Sequence, residues 1–305
     1  APWQLVAGRA AMGLFGGYTS LALGLVAIAA PRQRVTFAVG LVQTGQIVGN
    51  AIGPAFGGFA AEHYGVRGSF VVAAVLTSIA AGLIVVALPA VRAAAAETTT
   101  STGAKGLGAL WATLTLPGFA AILGILLVAR AVERTFDPVL PLYVAQLQSS
   151  GVAVMTGFIA TAGALATATA SVTVSRLTRR WSAHRLLAFA LLAGALSCLP
   201  IAFATSSWQL LLFRVVWGLL AGGVLTLAFA TGGVLLPPER RASAFGLLGS
   251  ATFYGGALGP MLSGAVATVH LTAIFWVDAL LYLAALGGLL AASGARIRQS
   301  SLRLR

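Results

Sequence analysis

Few side chains in this sequence can do chemistry, and they crowd into one stretch. Asp and Glu together number 6 in 305 residues, and Arg130, Glu133 and Asp137 all fall inside a single apolar run. On a helix, Arg130 and Glu133 lie three apart on one face, close enough to pair, and Asp137 follows one turn later. An ionisable group in such a run is costly and is by default functional or paired. A carboxylate in a partly dry cavity can exchange protons near neutral pH. Glu133 is therefore the candidate proton carrier, or the group that attracts a cationic substrate. The competing reading is that Arg130 and Glu133 only neutralise each other, and that Asp137, just before Pro138, sits near an interface. Arg9 and Arg214 each precede a glycine by four residues, Gly13 and Gly218. Their long side chains either face inward or snorkel to water. Asp278, beside Trp276, is expected at an interface.

Other chemistries lack their residues. His63, His184 and His270 are single and unclustered, which makes them poor metal ligands. No Walker A, Gly-x-Ser-x-Gly, His-Glu-x-x-His or Cys-x-x-Cys pattern occurs, so the chain is not expected to be an enzyme or to bind nucleotide, metal or cofactor. The one cysteine, Cys198, cannot form an internal disulfide. The net charge of +13 raises the question of nucleic acid. The basic residues, however, occupy short links rather than one helix face with interleaved aromatics, which argues against it.

The elements that must position these groups are membrane helices. Hydrophobic residues make up 59% of the chain and charged ones 8%, with a mean hydropathy of +0.96. A soluble domain of this size carries far more charge. Taking roughly 20 apolar residues per crossing, the sequence predicts nine spans, at 5–29, 35–60, 69–90, 117–145, 151–174, 185–205, 208–235, 243–267 and 271–293. The fold class expected is all-α, a polytopic membrane helical bundle, with a bend in the fourth span at Pro138 and Pro141.

Charge alternates along the links. Arg32 and Arg34, Arg92 and Lys105, Arg176, Arg179, Arg180 and Arg185, Arg240 and Arg241, and the tail Arg296, Arg298, Arg303 and Arg305 fall on one side, whereas the opposite links hold only Arg67. The positive-inside rule then puts the C-terminus in the cytoplasm of a multi-pass protein of the cell (inner) membrane. Residues 91–116 contain an Ala-rich and Thr-rich stretch with the composition of a flexible linker. They divide 1–90, three helices, from a six-helix bundle at 117–294 and a basic tail at 295–305.

Glycine patterns repeat across that linker. Gly49, Gly53, Pro54, Gly57 and Gly58 lie in an apolar run, and Gly255, Gly256, Gly259 and Pro260 form a second copy. Glycines one turn apart make a strip on which a neighbouring helix can lie closely. Arg9 and Gly13 align with Arg214 and Gly218, Gly40 with Gly246, and Phe70 with Phe275. Spans one to three thus repeat as spans seven to nine, while four to six have no partner. A two-fold repeat of six spans, with three N-terminal spans absent, is the economical expectation.

These residues resemble the major facilitator superfamily of secondary transporters. Gly49–Gly58 resembles the antiporter motif of the family's helix five, which is specific to its drug:proton antiporter branches. Arg9 to Gly17 resembles the Arg-x-x-x-Gly motif of helix four, and Phe136 to Tyr143 the Pro-rich outer half of helix seven. The resemblance covers helices four to twelve. Ser175 to Arg185 stands where the family has a cytoplasmic motif between helices eight and nine, but Arg179 replaces its usual aspartate. That loop reads better as a basic anchor on the anionic inner leaflet. The resemblance implies alternating access about a midplane site and proton-driven export of hydrophobic or amphipathic molecules. It implies for Arg9 and Arg214 a part in proton coupling or in holding the contact between helices one and four, and for Gly49–Gly58 a face on which helix five rocks across the interface of the two halves. The alternatives are a metabolite or sugar facilitator of the same family, and a non-transporting fragment or scaffold.

Overall fold

The computed structural model describes residues 2–14, 35–87, 118–234 and 241–303, and the regular structure in them is helical, with no strand among the described residues. The helices are α1 (Pro2–Leu14), α2 (Val35–Ala87), α3 (Phe119–Leu147), α4 (Val152–Leu177), α5 (Ala183–Ile201), α6 (Ser207–Ala221), α7 (Val224–Val234), α8 (Arg241–Ala267) and α9 (Ala273–Arg303). The linker at 91–116 and the remainder of the first predicted span lie outside the described residues.

Two differences from the expected spans have local causes. Spans two and three follow one another without an intervening loop as α2, 53 residues in which two helices meet at a kink between the predicted spans. At about 1.5 Å per residue this is far longer than one bilayer crossing needs. The helix is broken once, at Gly65, whose φ of 69° and ψ of 168° suit only glycine. The predicted span at 208–235 is two collinear pieces in sequence, α6 and α7, parted at Gly222 and Gly223. α9 also continues past the predicted end of its span, to Arg303.

By length and apolarity alone, five stretches among the described residues qualify to cross a membrane: Val48–Val85, Val152–Leu177, Ala183–Ile201, Ser207–Gly232 and Ala273–Ser293. α3 carries four charged residues and α8 is rich in Gly and Ser, so neither qualifies on that criterion. α3 runs unbroken through Pro138 and Pro141, each of which leaves a preceding carbonyl without its helical donor.

The chain forms two compact units, Ala1–Asn50 with Arg67–Ala104, and Ala51–Val66 with Lys105–Arg305. The second unit contains the core. α3 packs along α8 and also meets α9, α7 and α4, while α9 packs on α5 and α4 on α6. Phe119, Leu126, Val132, Leu191, Trp217 and Tyr282 are among the buried side chains at its centre. Helix starts are set by side chains: Ser182 Oγ accepts from Arg185 N at the head of α5, and Ser206 Oγ from Gln209 N at the head of α6.

Candidate functional site

The predicted charged stretch becomes a ladder along α3. Arg130 Nη1 donates to Glu133 Oε2 at 2.6 Å, and one turn on Arg134 Nη1 donates to Asp137 Oδ2 at 2.9 Å. Both pairs have the i,i+3 spacing that a helix brings together. They differ in environment: the first pair is 30% and 27% exposed, the second 44% and 54%. Asp137 therefore has an arginine of its own, Arg134, which sequence reasoning passed over. The signal was present, since Arg134 and Asp137 repeat the spacing of Arg130 and Glu133.

α8 fixes the stems of this ladder. A Cβ on Gly255 would collide with the Leu127 carbonyl and lie 3.1 Å from Arg130 Cβ. A Cβ on Gly259 would collide with the Ala131 carbonyl and lie 2.9 Å from Arg134 Cβ. The second glycine-proline copy thus lays its strip on the turn of α3 that carries both arginines. Pro260 follows inside α8.

The first copy behaves differently within its own unit. Gly58 abuts Ala153 of α4, and Gly157 of α4 in turn abuts the carbonyl of Pro54. Ala55 N donates to Thr161 Oγ1 at 3.0 Å across the same contact. A side chain added at Gly49, Gly53 or Gly57 would meet nothing within 4 Å among the described residues. Arg9 lies within α1, but its side chain is outside the described residues.

Arg214 and Asp278 are where the structure departs from expectation. Arg214 does not snorkel: it is 8% exposed. Its guanidinium stacks between two rings, 4.4 Å from the centre of Phe136 and 4.5 Å from that of Trp217, and Gly163 of α4 leaves the room it occupies. The Arg-x-x-x-Gly pattern explains the placement. Gly218 and Gly222 seat α6 against Gly163, Ala166 and Thr167 of α4, so the residue one turn before Gly218 is carried into the interface. Arg214 Nε and Nη1 have no hydrogen-bond partner.

Asp278 is not interfacial. It is 0% exposed, and Oδ2 lies 2.7 Å from Thr135 Oγ1 on α3 while Oδ1 has no partner. The neighbouring Trp276 is 47% exposed; one helical residue can face outward while the one two positions on faces the core. Among the described residues the ion pairs are the two on α3, so Arg214 and Asp278 share a core without touching. Phe136 links the two clusters, stacking at 5.3 Å on Trp217 and at 5.4 Å on Phe275. No group of three or more metal-ligating side chains occurs among the described residues.

The sequence profile of the Major Facilitator Superfamily matches the chain over residues 1–156 and 122–299. The multidrug resistance protein MdtG of Serratia proteamaculans (strain 568) is 28% identical over 288 residues, covering 92% of this chain and 68% of that protein. MdtG of Dickeya zeae (strain Ech586) is 29% identical over 226 residues, covering 73% of this chain and 54% of that protein. YuxJ of Bacillus subtilis (strain 168), an uncharacterised MFS-type transporter, is 27% identical over 288 residues, covering 92% and 72%. The aligned stretches thus span 68%, 54% and 72% of these three relatives' own lengths.

Proposed function

The chain belongs to the major facilitator superfamily of transporters, and from that premise we propose that it takes part in proton-driven export of hydrophobic or amphipathic molecules. Two MdtG relatives bear the name multidrug resistance protein, which supports the efflux direction. The observation that carries the coupling is the Arg130–Glu133 pair at 2.6 Å, about a quarter to a third exposed and less open than the Arg134–Asp137 pair one turn on. Glu133 can hold either a proton or its arginine, and Arg214 behind it holds positive charge in the core. Protonation of Glu133 frees Arg130, and release of substrate and uptake of the proton are then alternative events at one cavity. Arg130, Asp137, Arg9 and Arg214 tune that exchange. Gly49, Gly53, Pro54, Gly57 and Gly58 form the face on which the two halves rock, and Gly255, Gly259 and Pro260 hold the ladder in register.

The setting is a lipid bilayer, the inner membrane, with the C-terminus in the cytoplasm. Residues 1–90 and 117–294 are the two helical parts about the 91–116 linker, and 295–305 is the basic tail. Small molecules and protons are the partners, with no part for nucleic acid, nucleotide or metal. Inverted membrane vesicles with a fluorescent lipophilic cation supplied outside provide the test. Glu133→Gln is expected to abolish uptake driven by a pH gradient while the protein still inserts. Undiminished uptake in that variant removes Glu133 from the mechanism, and uptake independent of the gradient favours a facilitator instead.

A further inference from the structure

Thr135 has one hydroxyl hydrogen and two close oxygens to give it to. Its Oγ1 lies 2.7 Å from the carbonyl oxygen of Val132 and 2.7 Å from Asp278 Oδ2. A threonine hydroxyl donates once and accepts through its lone pairs, and 2.7 Å is the length of a full O–H···O bond. Sharing one hydrogen between two acceptors gives longer contacts. The hydroxyl of Tyr143 in the same bundle does this, at 2.9 Å to Ile201 O and 3.1 Å to Ala204 O. A carbonyl has no hydrogen to contribute. The second hydrogen at Thr135 therefore comes from Asp278: Thr135 donates to Val132, the back-bond threonine commonly makes inside a helix, and the carboxyl donates to Thr135.

The surroundings agree. Asp278 is fully buried, with no cation within ion-pair distance among the described residues, and a lone ionised carboxylate in such a place is very costly. The groups that act on it or share its surroundings are Cys198 on α5, Arg214 on α6 and Tyr282 on α9. The four charged residues of α3 pair with each other instead. Arg214 is the one cation of this core set, and its Nε and Nη1 are free.

We propose that Asp278 is a proton-binding site in the core of the C-terminal helices, neutral when apart from Arg214 and ionised when paired with it. On release, the Oδ2–H bond breaks and the proton passes to water admitted as the helices part. Thr135 keeps its bond to Val132, and the carboxylate takes the free donors of Arg214. Proton occupancy thereby sets whether α9 is tied to α3 through Thr135 or to α6 through Arg214. This rests on the antiport reading and adds to it a second proton site, distinct from Glu133.

Infrared difference spectroscopy on the protein in liposomes tests the site without any transported substrate. Between acidic and alkaline buffer, the wild type is expected to show the carbonyl band of a buried carboxylic acid. Asp278→Asn removes that band, Glu133→Gln leaves it, and Thr135→Val moves it by deleting its acceptor. Asparagine keeps a donor to Thr135, so this variant is expected to fold. If it does not, the Thr135→Val shift decides alone. Absence of the band in the wild type, its survival in folded Asp278→Asn, or an unmoved band in Thr135→Val overturns the proposal. A band behaving as expected in a protein whose dye uptake ignores the pH gradient would refute antiport and leave the site standing.

Discussion

The two sets of charges in this bundle are built on opposite principles. Arg130, Glu133, Arg134 and Asp137 are neighbours along one helix, paired at 2.6 and 2.9 Å and open to the surroundings. Arg214 and Asp278 come from different helices, are buried, and leave three polar atoms unpartnered. The first set is satisfied by its own element; the second is held in place by packing. An exposed pair answers to solvent and contributes little to stability. A buried unpaired group is high in energy until something reaches it, which is the condition for a group that changes partner during a transport cycle.

Three measurements break or sharpen that contrast. The largest effect is expected from Gly163→Ala, whose new methyl would lie 2.9 Å from Arg214 Cγ. Overpacking of this kind costs about 1–3 kcal/mol, seen as a lower Tm in detergent. The same change at Gly264, where nothing lies within 4 Å among the described residues, should be neutral or stabilising by up to about 1 kcal/mol. Equal effects at both positions would show that the Arg214 pocket is not tightly packed. A smaller effect is expected for the first ladder pair. A double-mutant cycle on Arg130→Ala and Glu133→Ala should give a coupling of about 0.2–1 kcal/mol. Smallest is the cycle on Arg134→Ala and Asp137→Ala, whose partners are roughly half exposed. Its coupling should fall below that of the first pair, and a larger value there would reverse the order inferred from exposure.

The two glycine-proline copies show where sequence reading stops. Both are visible as the same pattern, yet Gly255 and Gly259 press on α3, whereas in the first copy Gly58, the Pro54 carbonyl and Ala55 meet α4. Spacing tells that a strip is flat; it does not tell which helix lies on it. The ladder pairs, by contrast, were legible because three residues along a helix always bring two side chains together. Arg134 was overlooked within a pattern already recognised at Arg130. Asp278 was misplaced for a different reason: its position beside Trp276 suggested an interface, and Thr135, which reaches it, lies 143 residues away in sequence.

The sequence by itself determined the membrane class, the all-helical fold, the family resemblance and the i,i+3 charge pair. These follow from composition, apolar length and helical period, which are local properties of the chain. Tertiary structure alone decided that Arg214 stacks between Phe136 and Trp217, that Asp278 is buried, and that Thr135 Oγ1 lies within hydrogen-bond reach of both Val132 O and Asp278 Oδ2. Those depend on which helices pack together and at what rotation.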